Sequence, residues 1–414
     1  MAKQNKPAIR FKEFTDAWEQ RKLSEIAGKV TEKNTGLQYV ETLTNSAEFG
    51  IISQRDFFDH DISKLDSLDG YYIVRNEDFV YNPRISTSAP VGPINRNKLG
   101  RTGVMSPLYT VFRPHDIDTT YLEHFFKCGY WYSFMNFNGD SGARSDRFSI
   151  KDDVFFQMPI PVPHIEEQRK IGLFLTQLDH LITLHQRKYD KLQVLKKAML
   201  EKMFPKNGSS VPEIRFKGFT DAWEQRKLGE VVERITRKNE NLESTLPLTI
   251  SAQHGLINQN EFFDKRIASK DVSGYFLVRN GEFAYNKSTS SDAPWGAIKR
   301  LDRYESGVLS TLYIVFKISD ERKTSSDYIV TYYNTDLWHK GIQAIAAEGA
   351  RNHGLLNVAP ADFFETNLTM PKDYAEQQQI GSFFQQLDHL ITLHQRELEK
   401  LQNIKKSMLE KMFV

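Results

Sequence analysis

The ten-residue stretch FTDAWEQRKL runs from Phe14 to Leu23 and recurs without change from Phe219 to Leu228. A second stretch, LDHLITLHQR, runs from Leu178 to Arg187 and recurs from Leu387 to Arg396. Identity over whole stretches at two places does not arise by chance, so the chain contains two copies of one unit. This duplication determines the architecture before any single residue is interpreted.

Each copy ends in a stretch whose apolar residues are spaced alternately by four and three positions, which is typical of a coiled-coil seam. A helix of about 39 residues reaches roughly 58 Å at 1.5 Å per residue, which is the length of a spacer. We predict that the two helices pair with each other in antiparallel orientation. The predicted seam residues are Ile171, Leu175, Leu178, Ile182, His185 and Leu192 in the first helix and Ile380, Phe384, Leu387, Ile391, His394 and Leu401 in the second.

A histidine lies at the midpoint of each predicted helix, His185 in the first and His394 in the second. In an antiparallel pair these two residues would meet at a pseudo-twofold axis. A polar residue in a seam fixes the register of the helices at a small cost in stability. A pH-sensing role is the alternative interpretation.

Prolines mark the domain boundaries, since Pro161 and Pro163 precede the first helix and Pro205 closes it. The predicted fold class is α+β, with two tandem pseudo-symmetric domains and two long helices that form an antiparallel coiled coil. We predict globular domains over residues 1–163 and 215–372, spacer helices over 164–205 and 373–414, and a linker over 206–214.

The composition is that of a folded protein, with 40% hydrophobic and 26% charged residues. Lys plus Arg is 55 and Asp plus Glu is 53, so the net charge of +2 neither requires nor excludes a polyanionic partner. The single cysteine, Cys128, excludes an intramolecular disulfide and a zinc site built on several thiolates. One cysteine fits a reducing cytoplasm best, so we expect a cytoplasmic protein. Because no uninterrupted apolar run of roughly 18 residues is present, we expect no membrane span.

Sequence motifs for catalysis are missing. The chain contains no P-loop, GxGxxG, HExxH or GxSxG pattern. The sequence therefore predicts no catalytic residue, no metal site and a binding function. A nuclease or methyltransferase acting on its own, which is one alternative, would need a site that the sequence does not show.

The two copies differ most in polar stretches that read as loops. PRISTSAPVGP follows Asn82 where KSTSSDAPWGA follows Asn286, and SGARSDRF from Ser141 corresponds to EGARNHGL from Glu348. A shared frame with different loops is what two copies of a binding domain would show if each recognised a different target. Drift in unimportant surface loops is the alternative.

The chain resembles the specificity subunits of type I restriction-modification enzymes over nearly its whole length. The resemblance rests on the tandem plan, on FSIKDDVFFQMPIPVPHIEEQRKI from Phe148 and on LLNVAPADFFETNLTMPKDYAEQQQI from Leu355. Both segments are similar to the family's junction between a target-recognition domain and a long helix. The opening WEQRKLSEIAGKVTEKN from Trp18 is similar to the start of such a domain.

This resemblance implies that each globular domain is a target-recognition domain for one half of a bipartite double-stranded DNA site, while the helices set the gap. It also implies two modification subunits, which bind S-adenosylmethionine and methylate adenine and which dock on the helices. Restriction subunits would use ATP and Mg²⁺ to translocate and cut DNA. No cofactor is expected in this chain.

Candidate DNA contacts follow from side-chain chemistry, since Arg can be bidentate to guanine, Asn to adenine, and Lys and Ser suit phosphates. Arg144 and Arg351 occupy equivalent Gly-Ala-Arg positions, which favours a shared phosphate contact. A tandem protein-binding scaffold without DNA recognition remains the main alternative. The candidates are Arg84, Ser86, Thr87, Arg144 and Arg147 in the first domain, and Lys287, Ser288, Ser290, Arg351, Asn352 and His353 in the second.

Overall fold

The structure is a computed structural model, and it describes residues 6–58, 65–140, 146–206, 208–251, 254–264, 267–346 and 354–413. The chain forms two compact units. The first comprises Met1–Gln186 and Gln395–Val414, and the second comprises Arg187–His394. Each long helix therefore contributes residues to both units.

The first unit consists of short antiparallel strands, short helices and one part of each long helix. The strands are β1 Glu19–Lys22, β2 Ala27–Lys29, β3 Leu43–Ser46, β4 Gly50–Ser53, β5 Tyr72–Val74, β6 Phe79–Tyr81, β7 Ile94–Arg96, β8 Gly103–Met105, β9 Thr110–Pro114 and β10 Pro159–Val162. The helices are α1 Gln54–Phe58, α2 Thr119–Lys127, α3 Tyr132–Asn138, α4 Asp152–Phe155 and the long α5 Ile165–Lys202. Single 3-10 turns cover Leu23–Glu25 and Leu65–Gly70.

A four-stranded antiparallel sheet in the order β2-β9-β6-β7 carries the core of the first unit. Its two faces pack into different hydrophobic clusters, because side chains alternate along a strand. Phe79 and Tyr81 of β6 belong to the cluster that includes α2 and α5, while Val80 between them belongs to the cluster of the hairpin strands. Phe79 pairs with Phe112 of β9, and their rings stack at 5.5 Å.

The second unit repeats these elements. Its strands are β11 Glu224–Lys227, β12 Val232–Ile235, β13 Leu248–Ser251, β14 Gly255–Asn258, β15 Phe276–Arg279, β16 Phe283–Asn286, β17 Ala297–Arg300, β18 Ser306–Leu309, β19 Ile314–Ile318 and β20 Asn367–Met370. Its helices are α6 Gln259–Phe263, α7 Ser326–Tyr332, α8 His339–Ile345, α9 Pro360–Phe364 and the long α10 Tyr374–Lys411, and a 3-10 turn covers Leu228–Glu230.

The sheet of the second unit has the equivalent order, β12-β19-β16-β17. Phe283 pairs with Phe316 and their rings stack at 5.3 Å, as Phe79 and Phe112 do in the first unit. Two-stranded pairs also match, β1–β10 with β11–β20, β3–β4 with β13–β14, and β5–β8 with β15–β18. The predicted α+β fold with two tandem domains is confirmed.

A glutamine near the start of each long helix connects that helix to the domain before it. Gln168 accepts a hydrogen bond from the backbone N–H of Asp118 and donates one to the carbonyl oxygen of Pro163, both at 2.8 Å. In the second unit, Gln377 accepts from the backbone N–H of Ser325 at 2.9 Å and likewise donates to a proline carbonyl. These bonds satisfy buried backbone groups that would otherwise be costly.

In each copy, the glutamate directly before this glutamine forms an ion pair in which the carboxylate is buried. Both carboxylate oxygens of Glu167 accept from Arg10, at 2.6 and 2.8 Å. Glu376 accepts from Arg215 at 2.6 and 2.7 Å and also from the indole N–H of Trp223 at 3.3 Å. The bidentate geometry fixes the segment before each domain against its helix.

The long helices pair within each unit. In the second unit, Lys196 forms an ion pair with Asp388 at 2.5 Å, and the rings of Phe204 and Phe384 lie 6.4 Å apart. From Lys196 to Phe204 the chain runs forward along the end of α5 and just beyond it. The partners run backward along α10, from Asp388 to Phe384, so the two segments are antiparallel. Lys405 forms the equivalent ion pair with Asp179 in the first unit.

Burial along the helices is strongest near their starts. Ile171, Leu175 and Leu178 are buried, as are Ile380, Phe384, Leu387 and Ile391, while Ile182, His185, Leu192, His394 and Leu401 are half-buried. A coiled coil that runs through both units stays a prediction. The same holds for the meeting of His185 with His394, since the two residues belong to different units.

Several apolar side chains point away from the paired faces of the long helices. Leu181 and Leu184 of α5 are exposed, and so are Leu390 and Leu393 at the repeated positions of α10. They form apolar surface on the long helices, to which the exposed Leu173, Val194 and Leu195 of α5 add. None of the helices in the described residues is both long enough and apolar enough to cross a membrane.

Candidate nucleic-acid interface

The loop that follows β6 is closed by its own hydrogen bonds. The Asn82 side chain accepts from the backbone N–H of Arg84 at 3.0 Å. Ser86 and Ala89 exchange two backbone hydrogen bonds, at 3.0 and 3.1 Å. Gly92 has φ +84°, and a Cβ there would lie 2.1 Å from the Asn82 carbonyl oxygen, so this position requires glycine.

A second loop, far along the chain, lies beside the first. Arg84 and Arg147 face each other in an antiparallel bridge, and the backbone N–H of Phe148 donates to the carbonyl oxygen of Pro83 at 2.7 Å. The two predicted arginines are therefore neighbours although more than sixty residues separate them. Backbone bonds hold them together and leave their side chains available.

These two loops border a groove of about 460 Å³ in the first unit. Three of the predicted DNA contacts, Arg84, Ser86 and Arg147, line it. Thr87 is exposed next to Ser86 but does not line the groove. The rest of the lining mixes amide, aromatic and aliphatic groups and includes Asn45, Phe57, Phe58, Asn82, Leu108 and Tyr109.

Arg84 and Arg147 differ from the other arginines of the first domain. Within the described part of residues 6–163, every other arginine takes part in an ion pair or another interaction, whereas these two guanidinium groups form no ion pair. Arg113, for example, donates to both carboxylate oxygens of Asp78 at 2.7 and 2.9 Å. An unpaired guanidinium keeps its donors for a ligand, and planar acceptors such as phosphates or guanine suit it.

A cluster of asparagines supports the groove, and no sequence pattern identified it. Asn45 is buried and donates to the Val80 carbonyl oxygen at 2.7 Å. Its side-chain oxygen accepts from Asn95 and its carbonyl oxygen accepts from Asn82, each at 2.7 Å. The cluster joins β3 to the central sheet. Asparagine in a strand gives no sequence signal for burial because Asn is mostly exposed in proteins.

The second unit has the same backbone frame. Ser288 and Leu355 form the bridge equivalent to that of Arg84 and Arg147, and the backbone N–H of Leu356 donates to the Lys287 carbonyl oxygen at 2.9 Å. Ser290 and Ala293 close the same turn. A Cβ on the equivalent Gly296 would lie 2.2 Å from the Asn286 carbonyl oxygen. The path of the loop is thus the same in both domains.

The side chains on that frame are different. The strand register places Ile250 and Lys299 where the first domain has Asn45 and Asn95. Ile250 is buried among apolar side chains, so the polar cluster is absent at these positions. Burial lowers the pKa of Lys299, and the charge of Lys196 lowers it further. The two domains therefore differ in charge and in hydrogen-bonding groups at equivalent positions.

Comparison with known proteins gives these loops a context. Residues 15–194 match the family model described as the type I restriction modification DNA specificity domain. The match covers 180 of the 414 residues, so the family resemblance is carried by the first half of the chain. The predicted resemblance to this family is confirmed, and the second half repeats the strand order and register of this specificity domain.

Solved structures agree with the fold over the whole chain. The S subunit of a type I restriction-modification system from M. genitalium matches with a TM-score of 0.60 at 12% identity, covering 99% of both chains. The HsdS subunit from Thermoanaerobacter tengcongensis matches with a TM-score of 0.44 at 14% identity, covering 96% of both chains. The likeness to the S subunit from M. genitalium shows the fold of the chain.

The predicted contacts of the second domain lie on the equivalent loop. Lys287 is half-buried, and Ser288 and Ser290 are exposed. Among the described residues, no group of three or more His, Cys, Asp or Glu side chains is arranged to hold a metal ion. Four predicted contacts lie outside the described residues and stay predictions, including the shared phosphate contact: Arg144, Arg351, Asn352 and His353.

Proposed function

We propose that the chain is the DNA-recognition subunit of a type I restriction-modification complex and that each domain reads one half of a bipartite target. The observation that carries this proposal is the pair of loops around Arg84 and Ser288. Matching hydrogen bonds give both loops one path, yet their exposed side chains differ. One rigid frame with different exposed groups is suited to reading two different sequences.

The chemistry of each loop suits DNA. In the first domain, Arg84 and Arg147 offer two planar sets of donors, which match guanine edges or phosphates. In the second domain, Lys287 offers a point charge for phosphate, and the hydroxyls of Ser288 and Ser290 can donate to or accept from bases. Different donor sets imply different half-sites.

The long helices would set the gap between the half-sites. Each contains 38 residues, or about 57 Å at 1.5 Å per residue, compared with about 34–36 Å for one turn of DNA. Two modification subunits would dock on the helices. The exposed Leu181, Leu184, Leu390 and Leu393 supply apolar surface for such contacts.

Catalysis would belong to the partner chains. Modification subunits would bind S-adenosylmethionine and methylate adenine at N6, and restriction subunits would use ATP and Mg²⁺ to translocate and cut DNA. The present chain would supply sequence recognition alone, in the cytoplasm, as part of a defence against foreign DNA.

Methylome sequencing of cells that carry the modification partner, with and without this chain, tests the proposal. We expect one split adenine motif to be methylated only when the chain is present. If no chain-dependent methylation appears while the partner is demonstrably active, the protein-binding scaffold becomes the better interpretation.

Substitution of the unpaired arginines tests the assignment of the groove. Arg84→Ala and Arg147→Ala should each weaken binding to the split motif by about tenfold, because one set of guanidinium contacts is lost. Recognition of the half-site read by the second domain should not change. Arg101→Ala is the matched control, since Arg101 is exposed and paired with Glu41. Equal losses in all three variants would contradict the assignment.

A further inference from the structure

Both domains carry the same apolar side chains beside their first hairpin, and all but the half-buried Phe58 are exposed. Phe57 and Phe58 end α1 in the first domain, and their rings meet edge to face at 4.6 Å. Phe262 and Phe263 end α6 in the second, with their rings at 4.8 Å in the same geometry. The sequence around the pairs differs, with Arg-Asp before one and Asn-Glu before the other.

A leucine completes the set in each domain. Leu108 and Leu312 lie in equivalent turns, and each backbone N–H faces the hydroxyl of the serine two residues earlier at 3.4 Å. We call these two sets the apolar rim. The apolar rim comprises Phe57, Phe58 and Leu108 in the first domain and Phe262, Phe263 and Leu312 in the second.

Among the described residues, the apolar rim lies outside the hydrophobic clusters. Leu108 and Leu312 are 61% and 59% exposed, and Phe57 and Phe262 are 40% and 47% exposed. None of the six belongs to the buried clusters of the described residues. Single exposed apolar side chains are common on protein surfaces. A cluster of three such side chains that recurs in both domains instead indicates a binding surface.

The position of the apolar rim indicates which ligand it contacts. In the first domain, all three of its residues line the groove that holds Arg84 and Arg147. Those two guanidinium groups form no ion pair among the described residues, so their positive charge suits an anionic ligand. Double-stranded DNA fits both features, because its major groove presents thymine methyl groups between the phosphates and an unstacked base step exposes apolar base faces.

We propose that the apolar rim packs against DNA bases and adds similar affinity to both half-sites, whatever their sequence. This inference rests on the proposed function and deepens it. Phenyl and leucyl side chains cannot bind phosphate. Their contribution to the binding free energy comes from burying apolar surface against the bases and away from water. Apolar wedges of this kind occur in proteins that unstack base steps while basic groups hold the backbone.

The test uses the complete complex with modification subunits and a duplex that carries the split motif, with affinity measured by fluorescence anisotropy over a series of salt concentrations. Phe57→Ala with Phe58→Ala, and Phe262→Ala with Phe263→Ala, should each weaken binding by about tenfold or more. The slope of log K against log salt should stay unchanged, because no phosphate contact is lost. A variant that loses one phosphate contact would instead reduce that slope by about one, and Arg84→Ala is measured alongside for comparison.

Two further variants keep the test interpretable. Phe137→Ala removes the same side chain from a site that is 89% exposed and outside the groove, and it should leave affinity unchanged. Phe57→Leu with Phe58→Leu keeps the surface apolar and should retain most of the affinity. Circular dichroism of each variant confirms that the chain is folded.

Three results would overturn the inference. They are unchanged affinity in both alanine pairs, a reduced salt slope, and loss of assembly with the modification subunits at normal folding, which would make the apolar rim a protein-docking surface. Failure of the proposed function is recognised separately, because then the unaltered complex would neither bind nor methylate a split motif.

Discussion

The two copies are most alike where each long helix begins. Gln168 and Gln377 each join their helix to a backbone N–H and to a proline carbonyl. The glutamate before each of them accepts two hydrogen bonds from an arginine. These side chains satisfy buried polar groups, so replacing one of them leaves a donor or acceptor unpaired.

The copies are least alike at the loop that follows the central strand. There Ser288 stands for Arg84 and Leu355 for Arg147 on the same backbone bridge. The side chains at this bridge satisfy no buried group, so the fold permits the exchange. The two copies therefore keep the same side chains where those side chains are buried and satisfy buried polar groups. They differ where the side chain faces solvent or a ligand.

We expect the largest effect on stability from breaking the ion pair that each copy contains, Arg10 with Glu167 and Arg215 with Glu376. Glu167→Gln and Glu376→Gln should each lower the free energy of unfolding by about 3–5 kcal/mol, because each removes the charge of a buried carboxylate from a guanidinium that is only 12–13% exposed. Glu376→Gln should lower the free energy of unfolding more than Glu167→Gln does, since Glu376 also accepts a hydrogen bond from the indole N–H of Trp223. Urea unfolding of the purified chain measures both.

The control for this pair is Glu166→Gln, one residue away on the exposed side of α5. Its ion pair with Arg169 is more than half exposed, so we expect a change below about 1 kcal/mol. A loss for Glu166→Gln as large as that for Glu167→Gln would contradict the importance of burial.

An intermediate effect on stability is expected from the protonation of His124 in α2, a residue that α7 of the second domain lacks. Burial, together with the charge of Lys127, lowers the pKa of His124 to about 3, so the folded chain keeps it neutral. The unfolded chain takes up this proton below about pH 6.5, and stability is therefore lost as the pH falls from there. From pH 7 to 5 we expect a loss of about 2 kcal/mol from this residue.

Thr331 occupies the equivalent position in α7, so His124→Thr gives the first domain the residue of the second. Urea unfolding at pH 7 and pH 5 should show a smaller decrease in stability for this variant than for the unaltered chain. An identical decrease in both would show that His124 does not control the acid response.

An effect of similar or smaller size is expected where α5 and α10 pass close to the short helices. A Cβ on Gly381 would lie 2.8 Å from the backbone nitrogen of Tyr328, while one on Gly172 would lie 3.1 Å from that of Tyr121. Gly381→Ala should therefore cost about 1–3 kcal/mol despite the better helix propensity of alanine. Gly172→Ala should cost less, and thermal unfolding of the two variants gives the order. The reverse order would contradict the close approach of α10.

Much of the fold could be predicted because its signals are local. The sequence predicts spacer helices over 164–205 and 373–414, and the long helices run over Ile165–Lys202 and Tyr374–Lys411. Heptad spacing and flanking prolines lie within the segment that they define. The individual strands, most of three or four residues, were not predicted, since such short segments depend on their partners.

The groove was predictable only in part. Arg84, Ser86 and Arg147 were selected for their chemistry, yet nothing in the sequence showed that the two arginines adjoin or lack ionic partners. The cluster around Asn45 was missed entirely, because burial of a polar side chain depends on distant acceptors such as the Val80 carbonyl.

Patterns read along the chain were thus sufficient for the duplication, the tandem domains and the long helices, because repeats and heptads need only neighbouring residues. Three-dimensional packing was needed to show which charges are neutralised and which remain for a ligand. Arg113 has its carboxylate and Arg84 has none among the described residues. That difference depends on strand pairing between remote segments, which no local spacing encodes.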